Sequence, residues 1–204
     1  TTAVFDGHND VLYRLWSAGE EDAVSAFFQG NGKGQLDFPR MKAGGMAGGM
    51  FAIFAPSPSD LPHDDDDLNP PEAPSIAQQT AWKATAEMAD LLLKLVAASS
   101  GQFRLCLTAA DVRNALAAGA VAAVFHIEGA EAIGPSLGEL DRLYAQGLRS
   151  LGPVWSRSNI FGHGVPFRYP STGDTGPGLT DIGKRLVQRC NELRILIDLS
   201  HLNE

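Results

Sequence analysis

The sequence predicts an α/β fold, a (β/α)₈ barrel of which this chain supplies about the first five strands. Two observations carry that prediction. Short, continuous apolar runs bounded by Gly, Pro or polar residues alternate with stretches of helical period; strands covered on both faces read this way, and strand alternating with helix implies parallel βαβ units. Ionisable residues also stand at the ends of several of these runs, where a parallel barrel carries its functional side chains.

The predicted strands are Ala3–Phe5, Gly49–Phe54, Val121–Ile127, Leu148–Val154 and Leu193–Leu199. The clearest helix is Ser75–Ala98. Pro74 precedes it, Ser75 is placed to cap it, and Ile76, Trp82, Met88, Leu91, Leu92 and Leu95 recur at helical spacing. Ala109–Ala118 and Leu137–Gln146 read as shorter helices stopped by Gly119 and Gly147. Thr180–Asn191 reads as a further helix with Thr180 as its cap. Two stretches break the alternation. Pro56–Pro74 holds His63 followed by Asp64, Asp65, Asp66 and Asp67; adjacent carboxylates repel and do not converge on one ion, so the expectation is a solvated surface loop. Ser156–Pro177 is rich in Gly and Pro, carries Phe161, His163, Phe167 and Tyr169, and follows a strand as an active-site loop does.

The chain, 204 residues with 44% hydrophobic and 20% charged, reads as a single domain spanning 1–204. A closed barrel of this type needs roughly 250 residues, and the last apolar run is followed by Ser200–Glu204 with no covering helix. That would leave an open sheet edge, so the domain is expected to be truncated on its C-terminal side. A net charge of −8 argues against a nucleic-acid surface, which needs clustered Lys and Arg. Cys106 and Cys190 form no CxxC pair and are expected to be buried, reduced thiols. Neither a signal peptide nor an apolar run of roughly 18 residues is visible, which sets the expectation of a cytoplasmic protein without a membrane segment.

Chemistry concentrates in three segments. Asp6-Gly7-His8-Asn9-Asp10 ends the first strand. Residues two apart on an extended strand share a face, so His8 and Asp10 are either a hydrogen-bonded pair or an N,O pair for a cation such as Zn²⁺. Phe125-His126-Ile127-Glu128-Gly129-Ala130-Glu131 ends the third strand. A charge at Glu128, straight after an apolar run, is costly unless a cation meets it. His126 reads as a structural histidine, and Glu131 as a residue opening the next helix. Ile195-Leu196-Ile197-Asp198-Leu199-Ser200-His201 ends the fifth strand with another ionisable side chain. Parallel strands would bring His8, Asp10, Glu128 and His201 to one rim, the description of a catalytic metal site.

The same segments, D-G-H-N-D, H-I-E-G-A-E and D-L-S-H-L-N-E, resemble the membrane (renal) dipeptidase family, peptidase family M19, within the metal-dependent amidohydrolases. The stretch Leu36–Pro56, with Pro39, Arg40, Gly44, Gly48, Gly49 and Phe51, is similar to that family's second-strand region. The match runs in order along nearly the whole chain, and an HxD start separates it from the HxH start of most related amidohydrolases. The resemblance implies two divalent metals, zinc by preference, with His8 and Asp10 on the first, His201 on the second and Glu128 bridging both. It implies hydrolysis of small dipeptides by a hydroxide held between the two metals, and it allows a homodimer. The family's second histidine for the second metal, the arginine for the substrate carboxylate and the proton-handling aspartate would all fall beyond Glu204.

One departure lies inside the chain. Where many members carry a histidine that polarises the substrate carbonyl, Val154-Trp155-Ser156-Arg157-Ser158-Asn159 has Trp155 or Ser156. His163 or Arg157 is a candidate to take over; Trp155 is also readable as an apolar pocket wall, and Tyr13 as either a pocket or a packing residue. Two rival readings follow: a related binuclear amidohydrolase acting on another amide, such as an N-acyl amino acid, and a non-catalytic truncated barrel.

Overall fold

The computed structural model describes residues 2–19, 22–57 and 73–204. The expected loop around His63 and Asp64–Asp67 lies outside the described residues. The chain gathers into two compact units. One comprises Thr1–Ile53, Ala86–His126 and Ala145–Arg149; the other comprises Phe54–Thr85, Ile127–Tyr144 and Ser150–Glu204.

The described elements run β1 (Val4–Asn9), α1 (Val11–Ser17), α2 (Ala23–Gln29), α3 (Phe38–Gly44), β2 (Met46–Ile53), α4 (Gln78–Ala98), β3 (Phe103–Leu105), α5 (Ala109–Ala117), β4 (Val121–Glu128), α6 (Gly138–Gln146), β5 (Leu148–Gly152), α7 (Asp181–Leu193) and β6 (Leu196–Ile197). The strand order is β1-β2-β4-β5-β6, with β3 beside β4, and β1–β2, β3–β4 and β5–β6 each pair in parallel. Parallel strands alternating with helices are the pattern of a partial (β/α)₈ barrel. All five expected strands are present on that path.

In the first unit, Gly48 explains how β1 and β2 come together. Phe5 pairs with Gly48, and a Cβ on Gly48 would lie 2.6 Å from the Ala122 carbonyl oxygen and 2.9 Å from the Phe5 ring. Only a residue without a side chain leaves room for the Ala122 carbonyl and the Phe5 ring at this position. An aromatic cluster fills the space beside the strands: Phe103 meets Phe51 edge-on at 4.9 Å and Phe27 at 5.3 Å, with all three rings fully buried. Edge-to-face packing at these distances adds to the gain from area burial. The short strand β3 was not expected from the sequence; Phe103 anchors it. Asp37 caps α3 by accepting from the Arg40 amide, and Thr108 and Asp111 form a reciprocal capping box on α5.

In the second unit, Ala55, Ala81 and Ala132 form a small core covered by Ile76 and Trp82. Thr180 caps α7 as expected, accepting from the Gly183 amide. Its hydroxyl also donates to the Ile160 carbonyl at 2.6 Å, which pins the start of α7 to the loop after β5. At the other end α7 runs on to Leu193 and is closed by Arg194 at φ 57°. The Ile195 amide folds back onto the Cys190 carbonyl. The expected strand Leu193–Leu199 is therefore cut to Leu196–Ile197. Helix α4 likewise begins at Gln78, not Ser75, because the Ala77 carbonyl accepts the first helical hydrogen bond, from Ala81. The helices α1, α2 and α3 are additions to the sequence reading.

Candidate metal centre

Strand β1 delivers the first ligand pair. His8 Nε2 lies 3.1 Å from Asp10 Oδ1, so the two side chains share a face as residues two apart should. Both remain substantially exposed. The residues between and before them hold the strand end in place. Asp6 accepts from the His8 amide and from the Asn9 side chain, and Asn9 Nδ2 also donates to the Met50 carbonyl on β2. His126, expected to be structural, is 2% exposed, and its ring meets that of His8 edge-on with centroids 5.8 Å apart. Tyr13 follows on α1, its ring 6.2 Å from that of Trp16.

Strand β4 ends at Glu128, the only residue of Val121–Glu128 that is not buried. In the second unit its Oε1 lies 2.8 Å from His201 Nε2, a charge-assisted distance. The other ring nitrogen, Nδ1, is 2.9 Å from Ser156 Oγ. His201 stands at φ 66°, a backbone conformation that costs a non-glycine residue on the order of 1 kcal/mol. The Val165 amide, donating to the His201 carbonyl at 2.8 Å, and the antiparallel bridge Gly164–Leu202 hold it there. Strand β4 is continuous, so the residue whose ring meets His8 and the residue paired with His201 are separated only by Ile127.

Trp155 sits against an aromatic cluster. Its ring stacks on Phe54 at 6.2 Å, meets Phe167 at 5.5 Å and lies 6.2 Å from the His201 ring. Arg157 is 2% exposed. Its guanidinium donates to Glu131 Oε1 at 3.2 Å, to the Ala55 carbonyl at 2.7 Å and to Ser57 at 3.1 Å, and lies 5.3 Å over the Trp155 ring. Glu131 does not open a helix: α6 begins only at Gly138. Glu131 is instead the buried counter-ion of Arg157. Burial pushes its carboxyl up from the ordinary range, the Arg157 charge opposes that, and the Glu128 charge adds to it. Nothing in the sequence distinguishes this pair, because its partners are far apart along the chain. His163 Nδ1 lies 3.4 Å from Ser158 Oγ, and His163 lines a cleft of about 880 Å³ together with Ser156, Ser158, Arg168 and Asp174. Arg168 is a cleft residue that the sequence reading did not single out.

A parallel α/β architecture with helices between its strands defines the class of (β/α)₈-type barrels, which carry their functional side chains at strand ends. Comparison with known proteins narrows this. The family model described as membrane dipeptidase (peptidase family M19) matches residues 1–204. An uncharacterised protein from the PQQ-III 3′ region of Acinetobacter calcoaceticus is 41% identical over 202 residues, covering 98% of this chain and 64% of its own length. The crystal structure of dipeptidase AC, a metallo-peptidase of family M19, superposes with a TM-score of 0.93 at 50% identity, covering all of this chain and 58% of its own. A metallo-peptidase from Rhodobacter sphaeroides, liganded with a phosphinate mimic of the dipeptide L-Ala-D-Ala, superposes with a TM-score of 0.94 at 49% identity, covering all of this chain and 60% of its own. The chain belongs to the membrane dipeptidase family, peptidase family M19. It spans about three-fifths of the length of these relatives. Among the described residues, no helix is long and apolar enough to cross a membrane.

Proposed function

We propose that the protein containing this chain is a metal-dependent dipeptidase whose centre is built on His8, Asp10, Glu128 and His201, with Glu128 between two divalent cations, zinc by preference. The observation that carries the reading is the pairing of ligands at strand ends: His8 with Asp10 and Glu128 with His201. The donor set fits the group. Imidazole nitrogen and carboxylate oxygen suit a borderline cation such as Zn²⁺, and a buried strand ending in a carboxylate is relieved by positive charge. When bound, the cations would supply a Lewis acid for the scissile carbonyl and an acidified water as nucleophile at neutral pH.

The chain's own residues do the positioning. Asp6 and Asn9 fix the strand end that carries His8 and Asp10. Trp155 and Phe167 form an apolar wall beside His201, suited to a substrate side chain, and Tyr13 is a further candidate for pocket contact. His163 takes the role of the hydrogen-bond donor to the substrate carbonyl. Arg157 we read as a brace for the loop bearing Trp155 and Ser156, because its guanidinium is already engaged by protein groups, and not as a substrate contact. The ligand of the Rhodobacter sphaeroides relative supports small dipeptides, including those with a C-terminal D-residue, as the substrate class.

The test uses the full-length protein. Activity on a panel of L,L- and L,D-dipeptides is expected, lost with a chelator and restored by Zn²⁺. Activity confined to N-acyl amino acids would favour the related amidohydrolase reading, and no hydrolysis of any of these substrates after metal loading would favour a non-catalytic barrel.

A further inference from the structure

We propose that Ser156 is the positioning residue that fixes the His201 ring for metal binding; the inference rests on the metal-centre reading above. The hydroxyl lies 2.9 Å from His201 Nδ1, while Nε2 faces Glu128 at 2.8 Å. The chemistry of the two partners sets what Ser156 must do. A carboxylate offers only lone pairs, so without a cation Nε2 keeps its hydrogen and donates to Glu128, and Nδ1 of the neutral ring is an acceptor. With a cation on Nε2 the hydrogen moves to Nδ1, which becomes a donor. A hydroxyl both donates and accepts, so Ser156 satisfies Nδ1 in either state without moving. An amide or carboxyl oxygen would suit only the second.

Ser156 is itself held firmly. Its neighbour Trp155 stacks on Phe54, and its other neighbour Arg157 is tied to Glu131 and to the Ala55 carbonyl. The hydroxyl is therefore presented from a braced loop to a histidine whose backbone is fixed by Val165. Groups that orient a metal-binding histidine in this way commonly change affinity by about 10–100-fold when removed.

The probe is Zn²⁺ alone, titrated against a competing chelator into the metal-free full-length enzyme. In Ser156→Ala the Zn²⁺ held by His201 is expected to bind about 10–100-fold less tightly, while Ser156→Thr, which keeps the hydroxyl, stays within about threefold of wild type. Thermal melting of the metal-free variants checks folding. Should the alanine variant not fold, Ser156→Val, which has the shape of threonine without its hydroxyl, is expected to show the same loss. In ¹⁵N-histidine spectra of the metal-free protein, the alanine variant is expected to shift the His201 Nδ1 resonance. Wild-type affinity in Ser156→Ala, or a loss in Ser156→Thr equal to that in Ser156→Ala, overturns the proposal while leaving the metal centre standing. Failure of wild-type protein to bind Zn²⁺ through His201 overturns both.

Discussion

Glu128 combines two roles at a single residue: it closes a strand whose other residues are all buried, and it faces an imidazole at 2.8 Å. Replacing its carboxylate by an amide keeps the shape and removes the charge that two cations would share. Glu128→Gln in the full-length enzyme is expected to lose bound metal and to lower kcat/KM on a dipeptide by more than about 100-fold, beyond what an orienting residue costs; metal analysis with steady-state kinetics checks this. The cysteines predict something different. Both are buried and free of disulfide, and burial pushes each thiol up to about 11 from an ordinary 9.0. Native protein is therefore expected to react with a thiol reagent at neutral pH only after denaturation. Because these folded-state values are raised, the stability they contribute is complete below pH 9 and is lost as pH rises toward 11. Replacing Cys106 and Cys190 by Ala is expected to flatten that alkaline fall in the melting temperature.

At the scale of elements, the loop after β5 is held by a buried ion pair and not by regular structure. Glu131 and Arg157 have side chains only 3% and 1% exposed. Breaking such a pair from one side leaves a buried charge without a partner, so Arg157→Ala is expected to cost about 3–5 kcal/mol in denaturant unfolding of the metal-free protein near neutral pH. Arg157 lowers the Glu131 pKa against the effect of burial. Its removal therefore raises that pKa further, and the loss is expected to shrink as the pH falls through the Glu131 value and the carboxyl neutralises. A loss independent of pH would mean that Arg157 acts by packing alone. On α5, Thr108→Ala breaks the reciprocal cap and is expected to cost about 1 kcal/mol, read from the same unfolding curves.

For the whole molecule, what the sequence shows depends on how local the signal is. The five strands on the sheet path announce themselves as apolar runs, and Thr180 announces the start of α7. Helices α1, α2 and α3 are only seven residues long, too short for periodicity to stand out. Strand β3 is invisible because three residues carry no pattern; only their parallel pairing with Val121–Ala123 of β4 makes them a strand. Glu128 was legible because it ends a buried run where a charge needs a reason, and His8, Asp10 and His201 because each follows an apolar run in the sequence. The Glu131–Arg157 brace and the Ser156–His201 contact were not, because they join segments 26 and 45 residues apart. Anomalous diffraction at the zinc edge from crystals of the full-length, zinc-loaded protein tests the centre most directly. The account predicts two peaks separated by the Glu128 carboxylate, one on His8 and Asp10 and the other on His201. Zinc absent from these side chains, or bound with Glu128 outside its coordination sphere, would contradict it.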